Sequence, residues 1–379
     1  MRNGVSMSED GRVIDLHAHP SMKTYLGDRK LTRARRARKG FAPLVLRTTY
    51  PALRAGGVSA VLSSMYVPER RLLSDCWLFH LFGLYMPRLR EALREDDPSR
   101  IAHRMLDHVE AEVARSNREL GEDAIAIPRS YAELEAAEAS GRLALLHTFE
   151  GAHVLAGDLA NVRAFQRRGV CSITLAHFYP NGVAPPVNAV PADFFLRRCG
   201  CFRYQGNPEA GLTPLGHAVV EEMLEVGVLV DLTHCTPRAR REAYGVPNPR
   251  ARPLVMTHTG MATLRDHPLN ASREDARAIA ATGGVIGIIF YNHWLAGPEA
   301  EDSSAHVVRH ARELHDLAGE DAVAFGSDFD GMTTPPDDLR DPTGWPVLRR
   351  GLERAGFTAS QVDKFLGGNA RRVLRDGWT

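Results

Sequence analysis

Metal-ligand chemistry recurs at the ends of short apolar runs in this 379-residue sequence. His17 and His19 follow the first run, and Glu150 closes a later one. Imidazole nitrogens and carboxylate oxygens are donors that divalent ions such as zinc accept readily. The complete set of run-end residues is His17, His19, Glu150, His177, His234, His258 and Asp328.

The spacing of these residues predicts a binuclear metal centre. His17 and His19 lie two residues apart, so on an extended strand they point to the same side and can share one cation. Burying so many imidazoles and carboxylates costs free energy unless ions or a substrate satisfy them. A carboxylate at Glu150 can bridge two divalent ions roughly 3.5–4 Å apart. The predicted metal ligands, with Zn²⁺ as the expected ion, are His17, His19, Glu150, His234 and His258.

Catalytic roles follow for three of the residues. Two ions that share a water lower its pKa towards neutrality, so Glu150 as their bridge would hold the nucleophile in place without a serine or cysteine. Asp328 is expected to be a general acid/base that delivers a proton to a leaving amine. His177 is expected to polarise a carbonyl or stabilise an oxyanion, and a core histidine bonded to backbone is the alternative.

Neighbouring polar residues receive supporting roles. Asp15 shares the strand side of His17 and is expected to orient a ligand imidazole. Asp330 is expected either to point into the same pocket or to cap the following turn. Three further residues, off the facing side or beyond the strands, are expected to be structural: His147, His153 and Asp231.

Eight apolar runs rich in β-branched residues would position these side chains. Each predicts a buried strand, and the stretches between them have helical periodicity. Thr213-Pro214, for example, opens a helix that closes at Gly227. Eight βα units predict an α/β fold, a (β/α)₈ TIM-type barrel with its active site at the carboxyl ends of the strands. The predicted strands are 13–17, 58–65, 143–150, 170–177, 228–234, 254–258, 285–290 and 322–328.

A single domain over residues 1–379 is the expectation for this length. Residues 68–141 are too long for one βα connection, and their apolar patterns predict a helical insertion after the second strand. Residues 179–211, rich in Pro, Gly and Asn, are a candidate lid over the substrate pocket. The basic run at 33–39 either binds an acidic partner or forms a solvated face, the usual role of a charge run.

Composition excludes several functional classes. With 47 basic and 46 acidic side chains the net charge is +1, so no overall field draws the protein to nucleic acid or an anionic membrane. No run has the length of a signal peptide or a membrane span, and a cytoplasmic location is the default expectation. Five scattered cysteines are an odd number and predict no disulfide framework. Cys199 and Cys201 are expected to be structural or incidental, with metal binding or pairing as the alternative, and Cys235 is expected to pack in the core.

Taken in chain order, these residues resemble the membrane dipeptidase (renal dipeptidase) family of zinc peptidases in the amidohydrolase superfamily. The resemblance covers nearly the whole chain. It implies cleavage of dipeptides with two zinc ions, one held by the first-strand pair and Glu150, the other by Glu150 and the two later histidines. It also implies that His177 polarises the carbonyl and that Asp328 is the acid/base. The segments that carry it include Asp-Leu-His17-Ala-His19-Pro, Phe-Glu150-Gly-Ala-His, Val-Asp-Leu-Thr-His234, Thr-His258-Thr and Gly-Ser-Asp328-Phe-Asp-Gly331.

Two positions depart from the family pattern. The family usually has Asp where this chain has His19, which makes the site more electropositive. Its usual His-Pro-Arg-Asn, whose Arg grips the substrate carboxylate, has Leu269 in place of the Arg. Leucine replaces neither the charge nor the donors, so ordinary dipeptides are expected to bind poorly unless Arg265 or Arg273 substitutes. Without a substitute, the preferred substrate is expected to lack a free carboxylate at that end or to pack an apolar group on Leu269.

Three functional hypotheses remain from the sequence. The leading one is a binuclear metal-dependent hydrolase that cleaves a dipeptide or related amide by attack of a metal-bridging hydroxide. The alternative is an amidohydrolase acting on a non-dipeptide amide, lactone or cyclic imide. The third is a catalytically silent barrel that keeps its metal for binding. A small-molecule substrate is the expected partner, without nucleic acid or membrane, and the assembly is a monomer or a homodimer.

Overall fold

The computed structural model describes residues 12–33, 39–40, 42–43, 45–188, 190–191, 194–204 and 206–379. The amino-terminal residues 1–11 and most of the basic run at 33–39 lie outside the described residues. The role of that basic run therefore stays a prediction.

The described residues form one parallel sheet. Its strands are β1 (Val13–Ala18), β2 (Val58–Met65), β3 (Ile125–Ala126), β4 (Leu143–Glu150), β5 (Val170–Thr174), β6 (Leu229–Asp231), β7 (Leu254–Thr259), β8 (Val285–Ile288) and β9 (Val323–Phe325). Eight follow the order β1-β2-β4-β5-β6-β7-β8-β9, and β3 is a two-residue addition beside β4. Every pair is parallel. The predicted (β/α)₈ barrel is confirmed.

Backbone hydrogen bonds bring the last strand back to the first. The Asp328 N–H donates to the His17 carbonyl at 2.8 Å, and the His19 N–H donates to the Phe329 carbonyl at 2.8 Å. Ala18 and Phe329 also form a parallel bridge. The barrel therefore closes between β1 and the segment after β9, both of which contain predicted site residues.

Helices surround the barrel and cover its ends. They are α1 (Pro20–Gly27), α2 (Tyr50–Ala55), α3 (Arg71–Asp75), α4 (Trp77–Tyr85), α5 (Pro87–Ala92), α6 (Pro98–Leu120), α7 (Tyr131–Ala139), α8 (Ala160–Arg167), α9 (Phe195–Arg198), α10 (Pro214–Val226), α11 (Pro237–Tyr244), α12 (Arg273–Ala281), α13 (Asn292–Leu295), α14 (Ala305–Ala318), α15 (Trp345–Arg354), α16 (Ala359–Asp363) and α17 (Asn369–Gly377). A π-helical turn, Lys364–Gly368, precedes α17. As predicted, α10 starts after Thr213, whose hydroxyl accepts from the Gly216 N–H, and ends at Gly227 in the left-handed region (φ 78°).

A cluster of apolar side chains fills the barrel interior at the amino-terminal ends of the strands. All eight barrel strands contribute, and Val373, Leu374 and Trp378 from the carboxyl terminus pack beneath them. The strand members are Ile14, Leu16, Ala60, Leu62, Ala144, Leu146, Cys171, Leu229, Val255, Val285 and Ala324. This end is therefore sealed, and a ligand can enter only from the carboxyl-terminal mouth.

Four strands are shorter than predicted. β5, β6, β8 and β9 end at Thr174, Asp231, Ile288 and Phe325, whereas the predictions continued to residues 177, 234, 290 and 328. The backbone turns away from the sheet after these points, with His234 (φ 67°) and Asp328 (φ 54°) in the left-handed region. The predictions extended too far because an apolar run indicates only that residues are buried. The residues after these strand ends are buried, but they are not part of the sheet.

Helices α3–α6 lie between β2 and β4, in the segment predicted to be an insertion. Cys76, between α3 and α4, forms a disulfide with Cys201 after α9. The prediction of no disulfide framework is therefore wrong for these two, and Cys201 pairs with Cys76 instead of Cys199. Among the described residues, Cys171, Cys199 and Cys235 are free. The partners are 125 residues apart, so their spacing gave no signal. The bond joins the helical segment to the loop predicted as a lid.

Candidate metal centre

All seven predicted site residues meet at the carboxyl ends of the strands. Each side chain converges on one point of the mouth, and none is more than 7% exposed. They are His17, His19, Glu150, His177, His234, His258 and Asp328. Within the described chain, triads of these residues place their ligand atoms within 4.8 Å of one another.

Glu150 lies at the centre of the cluster and divides it. Oε1 faces one set of imidazoles and Oε2 faces another. The Oε1 distances are 3.1 Å to His234 Nε2, 3.4 Å to His258 Nε2 and 3.4 Å to His17 Nε2. The Oε2 distances are 3.3 Å to His177 Nε2 and 3.6 Å to His19 Nε2. One carboxylate therefore contacts both halves of the site.

The first half combines the β1 histidines with Asp328. His17 Nε2 and His19 Nε2 are 3.1 Å apart. Asp328 Oδ1 lies 3.1 Å from His19 Nε2 and 3.9 Å from His17 Nε2. The aspartate predicted as an acid/base thus also lies within reach of a cation held by this pair.

The second half contains the later histidines. His234 Nε2 and His258 Nε2 are 3.0 Å apart, and His177 groups with His234 and Glu150. His177 Nδ1 has no hydrogen-bond partner among the described residues, while its Nε2 faces Glu150. His177 is therefore not the backbone-bonded core histidine of the alternative hypothesis.

The electrostatics keep the two carboxylates and His17 in metal-binding forms, whereas neighbouring carboxylates raise the pKa values of His19 and His258 despite their burial. Burial alone would raise the pKa of Glu150, but His177 and His17 hold it well below its usual range. Burial would also raise the pKa of Asp328, but the hydrogen bond with His19 outweighs burial and lowers this pKa. Burial and the neighbouring His258 lower the pKa of His17 to about 4. At neutral pH the carboxylates are anionic and the His17 lone pair is free for a metal.

A network of threonines around Asp231, which was not predicted from the sequence, supports His258. The Thr257 hydroxyl donates to Asp231 Oδ2 at 2.7 Å and lies 3.0 Å from His258 Nδ1. Because that hydroxyl has one proton, His258 Nδ1–H must donate to Thr257 Oγ1, which leaves the Nε2 lone pair facing Glu150. Thr174 and Thr233 also donate to Asp231, at 2.6 and 2.7 Å. The sequence does contain a signal for this network, because Thr174, Thr233 and Thr257 each lie near the end of one of three successive strands.

Asp15 does not orient an imidazole, contrary to the prediction. Its carboxylate accepts from the Ser327 N–H (2.9 Å), the Ser327 hydroxyl (2.5 Å) and the His17 N–H (3.2 Å). The register of β1 against β2 shifts between Asp15 and Ala18, so strict alternation does not hold there. Burial raises the pKa of Asp15 to about 7.

The other polar neighbours have structural contacts. Asp330 lines the mouth, but its carboxylate accepts from the Arg47 N–H and from the Thr48 N–H and hydroxyl. His153 Nε2 bonds to the Val67 carbonyl at 2.8 Å. Both ring nitrogens of the buried His147 have no partner among the described residues. Burial lowers the pKa of His147 to about 3, so it is neutral and structural.

Leu269, which replaces the carboxylate-binding Arg of the family pattern, does not line the mouth cavity. Leu269 is 1% exposed and packs in the core outside the mouth, so a substrate cannot pack on it in this conformation. Arg265 and Arg273 do not line the mouth cavity either. The cavity is lined instead by two other cations, Lys23 on α1 and Arg29 just after it. They were not predicted, because they lie far from position 269 in the sequence.

The metal centre forms the floor of a cavity of about 510 Å³. This size is in the range of small-molecule sites. The Lys23 ammonium donates to the Pro43 and Val45 carbonyls, while the buried Arg29 Nε has no hydrogen-bond partner in the described part of the chain. Most of the remaining wall is apolar and comes from α1, α3–α5 and the loops around α9.

The donor set fits divalent metal ions. Nitrogen and oxygen ligands lie about 2.0–2.2 Å from Zn²⁺, so ligand atoms within 4.8 Å of one another can close on one ion with small adjustments. Without cations, five buried imidazoles and two carboxylates would pair only with one another. Glu150 contacts histidines of both halves, so its carboxylate can contribute to a cation held by either one.

A parallel α/β barrel with a histidine–carboxylate centre at its mouth defines the class of barrel metallohydrolases. The model of the membrane dipeptidase family (peptidase family M19) matches residues 3–377. The chain therefore belongs to the membrane dipeptidase family and is a metallo-dipeptidase-type hydrolase. This confirms the resemblance seen in the sequence motifs.

Individual relatives agree with this assignment. An uncharacterized protein in the pqqA 5′ region of Klebsiella pneumoniae is 32% identical over 254 residues, covering 66% of this chain and 88% of that protein. Dipeptidase verJ of Clonostachys rogersoniana is 26% identical over 333 residues, covering 87% and 76%. A Rhodobacter sphaeroides metallo peptidase, solved with a phosphinate mimic of the dipeptide L-Ala-D-Ala, superposes with a TM-score of 0.76 at 22% identity, covering 97% and 99%. That structural likeness shows the fold.

Across the described helices, none combines the length and the apolar character that a membrane crossing requires.

Proposed function

We propose that this protein is a two-ion hydrolase that cleaves the amide bond of a dipeptide or a related amide. The observation that carries the proposal is Glu150, whose carboxylate lies 3.4–3.6 Å from the β1 histidines and 3.1–3.4 Å from His234 and His258. His17, His19 and Glu150 would hold one ion, and Glu150, His234 and His258 the other. Zn²⁺ suits this mixture of nitrogen and oxygen donors.

Two further side chains would carry the chemistry of amide cleavage. When bound, a pair of divalent ions lowers the pKa of the water between them and supplies the nucleophile. His177 Nε2 faces the same space as Glu150 and would donate to the carbonyl oxygen as it gains charge. Asp328, anionic at neutral pH, would take a proton and deliver it to the leaving nitrogen.

A second candidate is hydrolysis of an amide, lactone or cyclic imide that lacks a free carboxylate. It is favoured by the leucine at position 269, where the family pattern has its carboxylate-binding Arg. The dipeptide proposal instead relies on Lys23 and Arg29 for the carboxylate. Comparing a dipeptide with its carboxyl-terminal amide separates the two candidates.

The test of the main proposal combines metal analysis with paired variants. The metal-loaded protein should contain about two ions per chain and hydrolyse members of a dipeptide library, for which L-Ala-D-Ala is a rational start. Glu150→Gln should abolish turnover, whereas Cys235→Ser should retain it, because burial raises the pKa of that thiol and keeps it unreactive. No more than a trace of bound metal after loading would refute the proposal.

The cytoplasmic location and the homodimer stay predictions. Disulfides persist mainly in oxidising compartments, so the Cys76–Cys201 pairing weighs against a cytoplasmic location. Fractionation of the native host and sedimentation of the purified chain would test the two separately.

A further inference from the structure

The cavity above the metal centre has one strongly apolar side. Its wall comes from the helices between β2 and β4 and from the loops that follow β5. Leu89 and Phe202 are buried there, and Phe79 and Met86 are partly buried. The apolar residues that define this side, here named the apolar wall, are Phe79, Phe82, Met86, Leu89, Phe178 and Phe202.

Aromatic contacts run continuously along the apolar wall from the metal centre to the surface. The rings of His177 and Phe178 are 3.7 Å apart, and those of Phe178 and Phe202 are 4.7 Å apart. Phe79 continues the path, 6.1 Å from Phe202 and 5.7 Å from Phe82. Phe82 is 36% exposed, so the path ends at solvent on α4.

Two cations, Lys23 and Arg29, also line the cavity. Lys23 follows His19 by one helical turn, and its N–H donates to the His19 carbonyl at 3.1 Å. His19 in turn contacts Asp328, so Lys23 lies on the side of the proposed acid/base. Arg29 adds a second cation, and its buried Nε has no hydrogen-bond partner among the described residues. A substrate carboxylate on the leaving-amine side would therefore meet positive charge.

We propose that the preferred substrate is an N-acyl amino acid with a long apolar acyl chain. This inference rests on the hydrolase function proposed above. The carbonyl oxygen beside His177 places the acyl chain against Phe178 and along the apolar wall. The amino-acid carboxylate then faces Lys23 and Arg29. Water adds to the acyl carbon, the C–N bond breaks, and the leaving nitrogen takes a proton, giving a fatty acid and an amino acid.

Chain length is the variable that tests this inference. Each methylene transferred from water to an apolar wall is worth about a threefold to fourfold gain in affinity. The experiment measures kcat/KM of the metal-loaded enzyme for N-acetyl-, N-octanoyl- and N-dodecanoyl-alanine, with alanyl dipeptides beside them. The dodecanoyl substrate should exceed the acetyl substrate by at least a hundredfold. Calorimetric binding of N-dodecanoyl-alanine to metal-free protein gives a readout that does not depend on turnover.

A matched pair of variants locates the acyl chain. Phe82→Gln places a polar group on the apolar wall, and Leu84→Gln makes the same change on α4 at a side chain that is 65% exposed and does not line the cavity. Phe82→Gln should lower the dodecanoyl-to-acetyl ratio about tenfold, whereas Leu84→Gln should leave it unchanged.

The outcomes separate this inference from the function on which it rests. Cleavage of dipeptides or acetyl-alanine without any gain from chain length would overturn the inference and leave the hydrolase intact. A gain that Phe82→Gln does not reduce would overturn the placement along the apolar wall. Failure of every amide, with the metal bound, would overturn the proposed function itself.

Discussion

Thr257→Val is the change that most directly tests how the metal centre is built. The substitution keeps the side-chain shape and removes the hydroxyl that joins Asp231 to His258. His258 Nδ1–H then loses its buried acceptor, and the ring is no longer held with Nε2 towards Glu150. We expect a weaker metal site in a protein that still folds.

The size of the effect follows from the contacts that are lost. Asp231 retains the Thr174 and Thr233 hydroxyls and two backbone N–H donors, so it stays satisfied. The His258 Nδ1–H is left without an acceptor, and His17 Nδ1 loses its 3.4 Å contact with the same hydroxyl. Removing a partner that orients a metal-binding histidine typically costs about 10–100-fold in affinity. Since tenfold equals about 1.4 kcal/mol, the expected loss is about 1.4–3 kcal/mol.

The assay is a Zn²⁺ competition titration against a chromophoric chelator. Thr148→Val is the matched control, because the buried Thr148 hydroxyl has no hydrogen-bond partner among the described residues. The control should bind metal like the wild type. If Thr257→Val also binds Zn²⁺ within twofold of the wild type, the tautomer assigned to His258 is wrong.

Asp328→Asn should keep the fold and lower the single-turnover rate by about 10²–10⁴, which is the usual contribution of a general acid/base. An unchanged rate would remove Asp328 from the mechanism. Arg29→Gln should reduce the kcat/KM preference for a dipeptide over its carboxyl-terminal amide about tenfold or more; an unaltered preference would show that Arg29 does not bind the carboxylate. Burial lowers the pKa of His310 from 6.5 to about 4, while its ring accepts from the Met261 N–H and bonds to the Leu295 carbonyl. The unfolded chain therefore binds more protons than the folded one below pH 6.5, and His310 should make the free energy of unfolding fall as the pH drops from 6.5 to 4, by about 3 kcal/mol at most. His310→Gln should flatten that part of the denaturation profile, and an equally steep profile would contradict the assignment.

The sequence predicted the barrel and the residues that converge at its mouth, because both depend on residue type and order. The run that ends at Glu150 became β4 with the predicted bounds, and His17 and His19 face one another as expected. These residues lie on or next to strands, where a spacing of two determines the side. Eight such runs in order leave few alternatives to a parallel barrel.

Details that depend on contacts between distant segments could not be predicted. Alternation along β1 assigned Asp15 to an imidazole, but a register shift gave it Ser327 instead. Leu269 was placed in the substrate pocket by a family pattern, and the structure buries it outside the cavity. Cys76 and Cys201 come together only because the helices after β2 fold over the loop after β5. None of these contacts has a signature in local spacing.

Closure of the barrel also ties metal binding to synthesis of the chain. The backbone bonds between His17 and Asp328 and between His19 and Phe329 join residues more than three hundred positions apart. A nascent chain still on the ribosome can form the early strands, but it cannot complete the first half of the metal site until the ninth strand has emerged. Such long-range pairing makes folding slow, because a large loop must close before the contact forms. Metal loading is therefore a late step, and a tightly bound ion would mark a chain whose first and last strands have met.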